Sequence, residues 1–251
     1  MTPARLTGLD AARGAALCAM FVYHLVWDLG FYQLVDPALP EQAWFKWFGH
    51  TIASIFLALA GAGLVLAWRR ANPWPGFWRR LAMIGAAAAA VTLASLWFTP
   101  EAPIYFGILH CIALGSLLAP LFLRAPLWIV FLSAALVLAA PLMVQMAALD
   151  APALSWLGLG TIYPDSEDFR PLSPWFGAML AGIFGARVWQ ARGAILPAGP
   201  DWLAWMGRHS LVIYLVHQPV LSGLVALAAM ALPAPARAPD GVTTAGPLIA
   251  T

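Results

Sequence analysis

The sequence predicts an all-α fold, a polytopic integral membrane helix bundle of about seven transmembrane helices with the N-terminus inside and the C-terminus outside. Three observations carry this expectation. The 251 residues are 62% hydrophobic and only 10% charged, too greasy a composition for a water-soluble domain. Apolar segments recur at the roughly 17–25-residue length that crosses a hydrocarbon core. The basic residues gather on alternate connections, as the Lys/Arg excess of cytoplasmic loops requires.

Taken in order, the first segment, Ala15–Phe31, is bordered by Arg13 and interrupted by His24 and Asp28. No small-residue cleavage site follows, so it reads as a span and not as a removed signal peptide. The second, His50–Trp68, carries Ala58, Ala60, Gly61, Ala62 and Gly63, which let helix backbones approach closely. An inner loop, Arg69–Arg80, leads to the third, Leu81–Phe98. The fourth, Ile104–Phe122, holds His110, and the fifth is Leu127–Ala148. A long outer loop, Leu149–Pro171, carries Trp156, Tyr163, Asp165, Glu167, Asp168 and Arg170, a mixture suited to a polar ligand such as a sugar. The sixth segment, Leu172–Val188, places Ala178, Ala181, Gly182 and Gly185 at helical spacing, and the seventh is Ser210–Leu232. Residues 1–232 are thus one transmembrane domain, and residues 233–251, rich in Pro, Ala and Gly, are expected to be a disordered tail.

With the N-terminus inside, the cytoplasmic side holds Arg5, Arg13, Arg69, Arg70, Arg79, Arg80, Arg124, Arg187, Arg192 and Arg208. The outer side keeps only Lys46, Arg170 and Arg237. The formal charge of +2 is therefore topology and not a nucleic-acid surface. Cys18 and Cys111 both fall within spans and read as small apolar residues, with no disulfide framework and no Cys/His spacing of a metal site. The single lysine, Lys46, lies in an outer loop and excludes a retinal-type Schiff base inside a span.

Four polar groups line one stripe of the first helix. At about 100° per residue, taking Arg13 as zero, His24 falls near 20° and Asp10 and Asp28 near 60°. Ionisable groups inside a membrane helix are costly, and they mark substrate paths, ion paths or reaction centres. Asp28, one turn beyond His24, suits an orienting partner for an imidazole that acts as general base. Asp10, three residues before Arg13, suits a carboxylate that turns the guanidinium inward, where a planar cation at the inner mouth fits a phosphate-bearing ligand. Helix direction further places His24, His50, His110 and His217 in the outer half, and Arg13, Arg208 and His209 near the inner face. For His50, His110 and His209 a hydrogen bond between helices is the plainer reading.

Several stretches together resemble a known family. Leu9-Asp10-Ala11-Ala12-Arg13-Gly14 followed by His24 and Asp28 looks like the opening of the heparan-alpha-glucosaminide N-acetyltransferase catalytic domain family. Phe106-Gly107-Ile108-Leu109-His110, the run from Asp168 to Gly177, and Gly207-Arg208-His209-Ser210-Leu211 leading to Tyr214-Leu215-Val216-His217-Gln218-Pro219 resemble motifs of its small bacterial members. The opening is also similar to the acyltransferase-3 branch of the wider transmembrane acyltransferase superfamily, with its arginine, ten residues and a histidine. The resemblance implies a multi-pass protein of the bacterial inner membrane. It would pass an acetyl group from cytosolic acetyl-CoA to a sugar amine or hydroxyl on the far side. Arg13, with Asp10 and Arg208, would then hold the co-substrate, His24 and Asp28 would serve the transfer, and His110, Asp168, Tyr214 and His217 would shape the acceptor side.

The expected partners are the lipid bilayer and a glycan or sugar acceptor, with no nucleic acid, no metal, and room for a homo-oligomer. Direct attack of the acceptor on the thioester and an acetyl-histidine route both fit the residues. Two rival readings stand beside the enzyme. One is a transporter or proton-coupled carrier using the same polar stripe, although no matching pair of Gly/Pro-interrupted spans supports inverted repeats. The other is a catalytically inactive structural membrane protein whose polar groups only zip helices together.

Overall fold

The computed structural model of the chain describes residues 7–193 and 198–232. Among these, nine α-helices follow in order: α1 (Thr7–Phe31), α2 (Ala43–Ala67), α3 (Trp74–Phe98), α4 (Ile108–Leu118), α5 (Pro120–Leu123), α6 (Leu127–Met143), α7 (Leu172–Ala191), α8 (Asp201–Arg208) and α9 (Ser210–Ala231). Four of them, α1, α2, α3 and α9, are long and apolar enough to cross a membrane. The expected tail at 233–251 lies outside the described residues.

The all-helical expectation holds, but the elements differ from the segments read off hydropathy. α1, α2 and α3 each begin about two turns before the apolar run, because amphipathic first turns such as Leu9-Asp10 are helical without being greasy. The Ile104–Phe122 segment divides into α4, of only 11 residues, and α5, at Pro120, whose ring nitrogen has no hydrogen to donate. The Leu127–Ala148 segment ends at Met143, two residues after Pro141, and the chain turns extended at Val144. Between α7 and α9, read from sequence as loop, the eight residues of α8 form a helix with Asp201 in its first turn and Arg208 in its last, a favourable match to the helix dipole.

The core surrounds α7, where Met179, Leu180 and Ile183 are fully buried together with Leu57 of α2, Cys111 of α4 and Val130 of α6. The small residues of α2 and α7 do bring the backbones together. A Cβ on Gly61 would strike the Met179 carbonyl, and one on Gly182 the Ala58 carbonyl. Gly185, expected in the same seam, faces open space. α8 docks antiparallel on α1 in the same way, with Gly14 against Leu203 and Gly207 against the Asp10 carbonyl, while Trp202 and Trp205 stay exposed. α9 leaves Val212, Val216, Val220, Leu224 and Leu227 exposed on one face, the apolar surface a hydrocarbon solvent requires.

Candidate functional site

The polar stripe of α1 faces α9. Phe21 stacks on His217 at 5.6 Å between ring centroids, His24 meets His217 edge-on at 4.9 Å, and Asp28 meets Ser222 one turn further on. Both helices therefore run in the same direction. The Asp28 side chain, buried, accepts hydrogen bonds at Oδ1 from Ser222 Oγ (2.7 Å) and Gln218 Nε2 (3.0 Å). This corrects the expected His24–Asp28 pair: no hydrogen bond or ion pair joins them among the described residues, because the carboxylate is claimed by α9. His24 instead packs on Tyr23 and His217.

The orientation of His217 is set by its own helix. Its Nδ1 lies 2.5 Å from the Tyr214 carbonyl oxygen, which can only accept, so Nδ1 carries the hydrogen. Nε2 is then a bare lone pair, and it is buried without a partner.

At the N-terminal end of α1, Arg13 Nη1 donates to Asp10 Oδ1 at 2.8 Å, the predicted i, i+3 pair. Beside it lies a cavity of about 230 Å³ lined by Arg13, Arg80, Arg208, Ile84, Leu109 and Tyr214. Arg13 and Arg80 converge beside Gly63 of α2: a Cβ there would sit 2.6 Å from Arg13 Nη2 and 3.9 Å from Arg80 Nη1. Two guanidiniums that converge in a partly buried place, one of them held by Asp10, have the chemistry to recognise an anion. Tyr214 links the two ends. Its ring lines the cavity and also meets the ring of His217 at 5.5 Å.

The remaining predicted site residues are each held by contacts of their own. His110 Nδ1 accepts from the Gly107 amide (3.2 Å) at the start of α4, so its Nε2 carries the hydrogen and donates to Thr92 Oγ1 (3.1 Å). Thr92 in turn donates to the Ile104 carbonyl (2.7 Å). One nitrogen of this imidazole closes the start of α4 and the other joins α4 to α3. Asp168 Oδ2 accepts from the Ile108 amide (2.8 Å), capping α4 from the loop before α7, and its Oδ1 lies 3.6 Å from Arg170 Nε. Arg170 also lies over the Trp175 ring at 5.1 Å. His50 packs between Trp47 and Trp175, and His209 bonds the Trp205 carbonyl (2.9 Å). Of the four histidines expected to converge, His24 and His217 meet ring to ring, while His50 and His110 make the other contacts just described.

The long loop before α7 is built on its acids. Asp150 accepts from the amide and hydroxyl of Thr161 (2.5 and 2.6 Å) and the amide of Ile162 (3.1 Å), which hold its carboxyl below the ordinary range. The amides of Glu167 and Arg170 bond the Ala102 and Phe106 carbonyls, fastening the loop to the α3–α4 connection. Partial burial pushes the Glu167 carboxyl up.

Arg80, Gln218 and Ser222 were not singled out in the sequence. Arg80 was read only as a topological charge, yet it precedes buried Ile84 and Ala87 by four and seven residues, which sets it on the inward face of α3. Among the described residues no group of three or more His, Cys, Asp or Glu gathers as a metal site would need. The family model described as heparan-alpha-glucosaminide N-acetyltransferase, catalytic, matches residues 5–219 of the chain. No curated protein and no solved structure matches it.

Proposed function

The chain belongs to the heparan-alpha-glucosaminide N-acetyltransferase catalytic family, and from that premise we propose that it moves an acetyl group from cytosolic acetyl-CoA to a sugar amine or hydroxyl on the outer side of a bacterial inner membrane. The reading includes seven crossings, N-in and C-out. One observation carries it: an arginine-lined cavity at the inner end of α1 abuts Tyr214, which abuts the His24–His217 pair.

In this reading Arg13, Arg80 and Arg208 take the phosphates of acetyl-CoA, and Asp10 holds Arg13 in place. The thioester points along Tyr214 towards His24, about 16 Å beyond Arg13 at 1.5 Å per residue. The acceptor's nitrogen or oxygen attacks the thioester carbonyl and its hydrogen passes to His24. The C–S bond breaks, and CoA leaves as the thiol once it regains a proton. Asp28 acts through position, locking α9 against α1 so that His217 faces His24. Asp168 and His110 support the acceptor side by fixing the outer loop and α4 rather than by touching sugar.

Acetyl-CoA binding to the detergent-purified protein, wild type against Arg13→Ala and His24→Ala, tests the reading. Micromolar binding weakened in the arginine variant and kept in the histidine variant, with turnover lost in the latter, supports it. No binding by correctly folded wild type rejects it and favours the carrier, which flux in liposomes without CoA release would then establish.

A further inference from the structure

His24, the proposed base, needs an acceptor for its second ring hydrogen at the moment it becomes an imidazolium, because an uncompensated cation in a low-dielectric interior is expensive. The helical spacing offered Asp28 for this purpose, but Asp28 is turned to Ser222 and Gln218. We infer that His217 takes that role: its bare Nε2 accepts the N–H of His24 when His24 takes the acceptor's hydrogen. The inference rests on the transferase reading above.

Three features argue for it. The Tyr214 carbonyl fixes His217 with its hydrogen on Nδ1, leaving Nε2 as the ring's acceptor. That nitrogen is buried and has no partner, an unusual state for a polar atom in a packed interior. The two rings lie 4.9 Å apart at 61°, so a modest rotation of His24 brings facing nitrogens to hydrogen-bond distance. Around the pair stand Tyr23 and Asp28 on α1, Tyr214 on α9, and Asp168 with Arg170 from the loop before α7. His217 is thus a positioning residue. It does for His24 what a carboxylate does for the histidine of a hydrolase triad, with a backbone carbonyl as the third member.

The test sets His217→Asn against His217→Gln in the full-length protein, with acetyl-CoA as donor and glucosamine as acceptor probe. An Asn amide can occupy the Nδ1 position and keep the Tyr214 bond, but it removes the acceptor at Nε2. A Gln amide reaches the Nε2 position with its oxygen and keeps an acceptor there. The expected result is a kcat at least about 100-fold lower for His217→Asn, with KM and acetyl-CoA affinity within about twofold, and partial rescue by His217→Gln. A purely structural histidine gives the reverse order, and full activity of His217→Asn overturns the inference. Equal loss in both variants overturns it as well, since an accepting amide must help. Nitrogen-15 histidine spectra of the wild type add a check that needs no folded variant: a protonated Nε2 on His217 in the free enzyme rejects the proposal. A wild type that neither binds nor consumes acetyl-CoA fails the transferase reading and this inference with it, whereas an active wild type with a fully active His217→Asn fails this inference alone.

Discussion

Ser222 donates its hydroxyl hydrogen to Asp28 Oδ1 at 2.7 Å, joining the last helix to the first where Gln218 also bonds the same oxygen. A bond to a buried carboxylate contributes about 1.5–3 kcal/mol, more than a neutral pair, because the acceptor carries a charge. Ser222→Ala should therefore lower stability by about 1–2 kcal/mol, and Asp28→Ala by more, since it strands two donors. Thermal unfolding in detergent measures both. If α9 is held by this contact, Ser222→Ala also lowers kcat while acetyl-CoA affinity, set at the other end of α1, stays unchanged.

Neighbouring arginines on α3 separate topology from binding. Arg80 lines the cavity beside Arg13, whereas Arg79, about 100° further round the helix, is exposed. Arg80→Ala should weaken acetyl-CoA binding at least about tenfold, or 1.4 kcal/mol, and Arg79→Ala should leave it alone. Acetyl-pantetheine, which lacks the phosphoanhydride and the nucleotide, should bind both variants equally. Equal losses for Arg79→Ala and Arg80→Ala would mean that only the overall inner charge matters.

His110 gives the opposite kind of expectation. Its two ring nitrogens close the Gly107–His110–Thr92–Ile104 chain, so removing it leaves an amide and a hydroxyl to find new partners. His110→Ala should cost about 1–3 kcal/mol of stability, while kcat per folded molecule stays within about twofold of wild type. His110→Asn, which can still accept from the Gly107 amide, should recover part of the loss. A fall in kcat in the stable His110→Asn protein would return this residue to the acceptor site.

What could be read from the sequence follows the range of each signal. Helical periodicity within one segment put Asp10, Arg13, His24 and Asp28 on one face, and the structure keeps that face turned to α8 and α9. The partners on that face come from residues nearly two hundred positions away, and no single-helix argument reaches Gln218 or Ser222. Asp28 was paired with His24 because i, i+3 and i, i+4 are the neighbour relations a lone helix offers. Arg80 was legible in principle through its phase with Ile84 and Ala87, but taking α3 to start at Leu81 left it outside the helix. α8 escaped because eight residues with exposed Trp202 and Trp205 are neither long nor greasy enough to register as a span.

Two acids of the loop before α7 make opposite predictions for stability against pH. The hydrogen bonds from Thr161 and Ile162 stabilise ionised Asp150, so its proton is held less tightly folded than unfolded. Its contribution is present above the unfolded carboxyl value of about 3.9 and is lost as the pH falls through the lower folded value. Burial favours protonated Glu167, so the proton is held more tightly folded than unfolded. Stability from that group is complete below about 4.3 and is lost as the pH rises through the raised folded value. At pH 7 Asp150→Ala should therefore lower Tm and Glu167→Gln should raise it. Solvent contact keeps the Glu167 change small, about 1–2 °C. On acidification the Glu167 difference should vanish near pH 4, whereas the Asp150 difference should persist until the pH passes below its lowered value. Thermal melts of the three proteins across this range decide it, and changes of the same sign for both substitutions at pH 7 would refute the assignment of the loop's two carboxyls.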